Sequence, residues 1–93
     1  IEVDFEPFLE AARLLYEGPW TAERYAAVGA FLEAHAGSPD VDPTVAGIIL
    51  GGRTPSAAEA FRAHYRLAAL RRAAEGVLAG VDALLAPTAP TCY

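Results

Sequence analysis

Tyr16 and Arg24 are the residues whose types and spacing most favour chemistry in this chain of 93 residues. They flank a Gly18-Pro19 corner, so both side chains can lean into one space beside the bend. An arginine guanidinium binds a carboxylate through two parallel hydrogen bonds, and a tyrosine hydroxyl can donate or accept one more. The pair could therefore anchor a small anion or an amide-bearing acid.

The structural alternative gives both residues ordinary packing roles. Tyr16 would then be a core aromatic residue, and Arg24 would pair with Glu17 or Glu23. Spacing alone leaves both interpretations open.

No complete catalytic or metal-binding set accompanies the pair. The two serines fit a loop and a helix cap better than a nucleophile, and the sequence has no lysine. The soft metal ligands lack the spacing of a zinc site: they are His35, His64 and Cys92. We therefore predict no catalytic residue, no metal and no cofactor in this chain.

Composition excludes several classes of partner. The net charge of −5 argues against nucleic acid, because phosphate binding needs concentrated positive charge. The longest apolar runs fall short of the ~20 residues that span a bilayer, so no membrane association is expected. The single cysteine favours a reducing, cytoplasmic setting. The chain also lacks an initiator methionine, and we expect it to be a piece of something longer.

Four helices and one strand are predicted from apolar residues three or four apart and from capping residues. The predicted segments are helix 5–16, corner 17–19, helix 19–35, loop 36–42, short helix 43–50, helix 56–80 and strand 82–86. A strand is the alternative for 43–50, because Ile48 and Ile49 are β-branched.

Local signals define the ends of these helices. Gly18 should take the left-handed conformation that ends the first helix, and Pro19 should open the second. Asp42 is expected to cap the short helix, and Ser56 with Glu59 forms a capping box. Two ion pairs are expected on helix surfaces, Glu10 with Arg13 and Arg71 with Glu75.

The predicted fold class is therefore a mainly α fragment, and we expect further polypeptide to cover its apolar surfaces. Apolar residues cover more than half the circumference of the helix at 56–80, which is typical of a sandwiched helix. The strand at 82–86 has no convincing partner in the sequence. A rival interpretation is a self-standing helical module that dimerises and has no chemistry.

Four segments resemble the later part of the amidase domain of allophanate hydrolases, which belong to the amidase signature family. They are FLEAARLLYEGPWTAERYAAVGAFLEAH, VAGIILGGR, SAAEAFRAHYRLAALRR and VDALLAPTAPT. The resemblance covers nearly the whole chain. LLYEGPW followed by AERY is fairly specific to allophanate hydrolases, whereas a D-x-L-L-x-P-T-x-P strand is shared more widely, so another amidase signature enzyme is an alternative.

The resemblance implies an α/β amidase fold with a mixed central sheet, of which residues 1–93 would be a partial domain. The parent enzyme would hydrolyse allophanate to ammonia and carbon dioxide in urea degradation, with a functional link to urea carboxylase. Tyr16 and Arg24 would contact this small-molecule substrate. A homo-oligomer is left open.

The resemblance also implies a catalytic machinery that this sequence does not contain. Family members use a Ser-Ser-Lys triad with backbone N–H groups at the oxyanion. Neither serine here fits its pattern, and the chain has no lysine. We expect the 93 residues alone to be inactive, and the roles of Thr88, Thr91 and Cys92 are undefined.

Overall fold

A computed structural model describes residues 1–89 as a mainly helical chain. The helices are α1 (Glu6–Tyr16), α2 (Thr21–Ala34), α3 (Pro43–Gly51) and α4 (Ala57–Leu78). Each end lies within two residues of its predicted position, and the mainly α fold class is confirmed. The segment from residue 43 is a helix, which rules out the strand alternative there.

The strand predicted for 82–86 is wrong for this chain. Residues 82–86 have no regular secondary structure, and no strand occurs anywhere in residues 1–89. A strand needs a neighbour to accept and donate its backbone hydrogen bonds, and the described part of the chain offers none. The predictions that touch Thr91 and Cys92 fall outside the described residues.

The two predicted N-caps of α3 and α4 are present. One carboxylate oxygen of Asp42 accepts hydrogen bonds from the N–H groups of Thr44 at 2.8 Å and Val45 at 3.0 Å. The Ser56 hydroxyl accepts from the Glu59 N–H at 3.2 Å, and the Glu59 carboxylate accepts from the Ser56 N–H at 2.7 Å. These bonds satisfy amide groups that the helix itself leaves without partners.

The helices pack in two pairs, α1 against α4 and α2 against α3. Arg66 on α4 donates from Nε and Nη2 to the two carboxylate oxygens of Glu10 on α1, at 2.6 and 2.5 Å. Arg13 forms its ion pair with Glu6 at 2.8 Å, and its charge lies close enough to Glu10 to add to the effect of Arg66 in lowering the pKa of that carboxylate. A bidentate partner on the facing helix matches the carboxylate better than a neighbour on the same helix.

The α4 surface carries the predicted pair between Arg71 and Glu75, at 3.0 Å. Both side chains are largely exposed, so this pair adds little to stability.

The α2–α3 pair depends on a backbone contact at Gly52. A Cβ atom on Gly52 would lie 2.1 Å from the carbonyl oxygen of Thr21, so only glycine fits there. A polar cluster joins α2 to the residue that follows Gly52: Tyr25 donates to Glu33 at 3.0 Å, and Arg53 donates to the same carboxylate oxygen at 3.3 Å. The hydrogen bond to Glu33 raises the pKa of Tyr25.

The two pairs form an open layer with almost no core. Ala63 and Leu70 are the buried hydrophobic residues among those described. The radius of gyration is 17.0 Å, against about 12 Å for a compact domain of this length. The accessible surface is 7225 Å², against about 5,200 Å² for a compact protein of this mass. No helix in the described part is long and apolar enough to cross a membrane.

Replacing Gly52 with Ala should loosen the α2–α3 pair. The added methyl group would overlap the Thr21 carbonyl, and overpacking of this kind costs about 1–3 kcal/mol. Hydrogen exchange of the α3 amides would report the loss as a lower free energy of local opening. The matched control is Gly47→Ala in open space on α3, which should stabilise the helix by about 0.5–1 kcal/mol. Equal protection in both variants would contradict the packing argument.

Acid should weaken the α1–α4 pair. The hydrogen bond from Arg66 lowers the pKa of Glu10 below its ordinary value. A carboxylate whose pKa is lowered in the folded state adds to the stability of that state. This stabilisation is complete above the unfolded pKa of about 4.3 and disappears as the pH falls through the lowered value. Hydrogen exchange of the α1 amides between pH 7 and pH 3 should therefore show a lower free energy of local opening at the acidic end. Glu10→Gln should remove that part of the pH dependence; an unchanged profile would contradict the assignment.

Candidate functional site

The corner between α1 and α2 is held by a run of local backbone hydrogen bonds. The N–H of Thr21 donates to Gly18 O at 3.5 Å, that of Ala22 to Pro19 O at 3.0 Å, and that of Glu23 to Trp20 O at 3.2 Å. The amides at the start of α2 thus have partners inside the turn. This arrangement fixes the direction in which α2 leaves α1.

Gly18 does not take the predicted left-handed conformation. Gly37, with φ of +80°, is the residue with positive φ among those described. What requires glycine at position 18 is space, because a Cβ atom there would lie 2.6 Å from the carbonyl oxygen of Leu14. Pro19 likewise precedes α2 by two positions and lies in the turn rather than at the first helical residue.

The corner brings Tyr16 and Arg24 together. The guanidinium carbon of Arg24 lies 5.8 Å from the centroid of the Tyr16 ring, which is within the range of a cation–π contact. The Tyr16 side chain is exposed, and Arg24 is half-buried. Within residues 1–89 Arg24 forms no ion pair, so the alternative in which Glu17 or Glu23 neutralises it does not occur.

This geometry leaves the polar ends of both side chains available. A guanidinium carries its N–H donors around the edges of its plane. In the described part of the chain, the hydrogen bonds of side chains involve neither the Tyr16 hydroxyl nor the Arg24 guanidinium. The pair can therefore present an anion-binding fork beside a hydroxyl.

Tyr16 also borders an open apolar groove of about 1220 Å³. Its lining includes Phe5 and the α1 residues Leu9 and Ala12, together with residues 1–3 and 84–89. Thr88 belongs to the second of these segments. Tyr16 thus both lines the groove and contacts the Arg24 guanidinium.

A second concavity, which we call the Trp20 pocket, lies where α4 meets the start of α2. It has a volume of about 220 Å³ and is lined by Pro19, Trp20, Glu23, Ala60 and His64. The Trp20 and His64 rings lie 4.7 Å apart between centroids and are tilted by 55°. The sequence does not predict this pocket, because its walls come from segments far apart in the chain. The Trp-x-x-Glu spacing was visible, but nothing in the sequence indicated that His64 would face it.

The other candidate residues from the sequence, which are His35, Ser38 and Ser56, lie away from the corner and make structural contacts. His35 stacks on Phe31 with ring centroids 4.2 Å apart. The Ser38 hydroxyl accepts a hydrogen bond from the Asp40 N–H at 3.3 Å, and Ser56 caps α4. Across residues 1–89, no three histidine, cysteine or acidic side chains cluster as metal ligands would.

Comparison with known proteins finds similarity to urea amidolyases. The chain is 44% identical over 90 residues to the urea amidolyase of Saccharomyces cerevisiae, an alignment that includes 97% of this chain. It is 39% identical over the same length to the urea amidolyase of Lachancea kluyveri. The chain spans about 5% of the length of each of these relatives. It matches no protein-family model.

Replacing Gly18 with Ala should separate Tyr16 from Arg24. A methyl group 2.6 Å from the Leu14 carbonyl forces the corner to open, and both residues lie within two turns of it. In an NMR spectrum the Arg24 Hδ protons should lose the upfield shift that the Tyr16 ring imposes. Gly76→Ala on α4, where a Cβ meets open space, is the control and should leave the shift in place. A shift that survives in Gly18→Ala would show that the corner tolerates a side chain.

Proposed function

We propose that this chain is a substrate-binding segment of an amidohydrolase that converts allophanate to ammonia and carbon dioxide in urea degradation. The observation that carries the proposal is the contact of Tyr16 with Arg24 at 5.8 Å, in a chain that aligns with urea amidolyases over 97% of its length. The resemblance of LLYEGPW and AERY to allophanate hydrolases supports allophanate, the carboxylated form of urea, as the substrate. Urea carboxylase would then be the functional partner that supplies it.

The chemistry of allophanate fits the exposed groups of the pair. Its carboxylate matches the forked N–H groups of Arg24, which bind such a group through two parallel hydrogen bonds. Its amide groups can exchange a further hydrogen bond with the Tyr16 hydroxyl. The Tyr16 ring holds the guanidinium plane before substrate arrives, which reduces the side-chain entropy lost on binding.

The role of the pair in the reaction is to orient the scissile amide. Holding a substrate by one end places its carbonyl carbon at a fixed distance from a nucleophile, which lowers the entropic part of the barrier. In the proposed reaction a serine of a Ser-Ser-Lys triad attacks that carbonyl, and backbone N–H groups stabilise the oxyanion. Because this chain has no lysine, the triad of the proposed enzyme would have to come from other residues, and residues 1–93 alone would be inactive.

The open architecture supports a place within a larger amidase domain. The surface exceeds that of a compact protein of equal mass by about 2,000 Å², which is of the size of an obligate protein interface. Large apolar side chains are exposed on α1 and on α4, including Leu9, Leu15, Phe61 and Tyr65. In the proposed enzyme the remainder of the domain covers these faces.

Arg24→Ala in the intact enzyme should weaken the use of allophanate. Loss of a charged partner from a desolvated pair costs about 2–5 kcal/mol, so kcat/KM should fall at least about 30-fold, mostly through a higher KM. Steady-state kinetics with allophanate measure this directly. The activity of Arg24→Ala on simple amides that lack a carboxylate should fall far less, because these substrates have no group for Arg24 to bind.

Arg72→Ala is the matched control for this experiment. Arg72 is an exposed arginine of α4, and within residues 1–89 it forms no ion pair. Its removal changes the net charge by the same amount and should leave kcat/KM unaltered. If Arg24→Ala and Arg72→Ala behave alike, the binding role is refuted.

A further inference from the structure

We infer that the Trp20 pocket is a second ligand site, which takes a small planar organic cation of the guanidinium class. The pocket and the groove beside Tyr16 share no lining residue, so the two sites are separate. The inference therefore does not depend on the function proposed for Tyr16 and Arg24.

The charge of the pocket selects a cation. Glu23 is the acidic residue in its lining, and no lysine or arginine is present there. Glu23 is exposed and forms no ion pair with any residue among positions 1–89. Its carboxylate is therefore available to a positively charged ligand.

Backbone geometry argues against an anion in the same place. The start of a helix often binds anions through its free N–H groups. Here the amides of Thr21, Ala22 and Glu23 already donate to carbonyl oxygens of the turn. An anion would meet the Glu23 carboxylate and no spare backbone donor.

The aromatic walls favour a planar and weakly hydrated cation. Trp20 and His64 both line the pocket, with their ring centroids 4.7 Å apart and their planes tilted by 55°. An indole is the best aromatic surface for a cation. A guanidinium group stacks on such a face and presents N–H groups at its edge to a carboxylate. A compact ammonium ion is strongly hydrated and uses the aromatic face less well. The Trp20 face and the Glu23 carboxylate together match both properties of a guanidinium.

The size of the pocket suits a ligand of a few heavy atoms. Its volume of about 220 Å³ equals the space of roughly seven water molecules in the liquid. N-methylguanidinium fits within that volume. N-methylurea has nearly the same shape without the charge, so the two compounds separate recognition of charge from recognition of shape.

Calorimetric titration of the intact polypeptide with N-methylguanidinium tests the inference. We expect saturable binding that is at least about tenfold tighter than that of N-methylurea, because only the cation gains from the indole face and from the carboxylate. Absence of binding, or equal binding of both compounds, overturns the proposal.

Two acidic-to-amide variants assign the binding to this pocket. Glu23→Gln keeps the shape and removes the charge, and it should weaken N-methylguanidinium at least about fivefold. Glu17→Gln removes an exposed carboxylate of the same corner that does not line the pocket, and affinity should be unchanged. Arg24→Ala should also leave this affinity unchanged, which keeps the test independent of allophanate hydrolysis. An equal effect of Glu23→Gln and Glu17→Gln would place the ligand elsewhere and refute the site.

Discussion

The close approach of Gly18 to the Leu14 carbonyl is the contact on which the arrangement of the chain depends. It allows α1 to end and α2 to begin within four residues, and the hydrogen bonds of the turn then set the direction of α2. That direction places Tyr16 beside Arg24 and leads Trp20 to His64 on α4. Both candidate sites are therefore products of one bend, although they share no lining residue.

Different kinds of contact hold the two helix pairs together. The α1–α4 pair is joined by a bidentate ion pair at its surface, whereas the α2–α3 pair is joined by direct backbone contact at Gly52. A contact between backbones is rigid because no side chain can rotate out of it. It braces the first turn of α2 at Thr21, one turn before Arg24.

The four helices leave a large amount of apolar surface exposed. Ala63 and Leu70 are the buried hydrophobic residues of the described part, a small core for four helices. Faces that a compact domain would turn inward remain open on α1 and α4. In the proposed enzyme these faces become buried against the rest of the amidase domain, and the Tyr16–Arg24 pair then becomes more desolvated. Desolvation strengthens an interaction between a guanidinium and a carboxylate.

The sequence by itself determined the helices, their caps at Asp42 and Ser56, and the candidate pair at the corner. These features depend on residues within a few positions of one another, where periodicity and capping chemistry are informative. Tertiary structure decided the rest. It gave Glu10 a hydrogen-bonded partner on α4, made Gly18 a residue of close approach instead of a left-handed one, and left 82–86 without a strand. It also brought His64 to Trp20. Each of these outcomes depends on which segment faces which, and the spacing of residues along a chain carries no such information until the chain has folded.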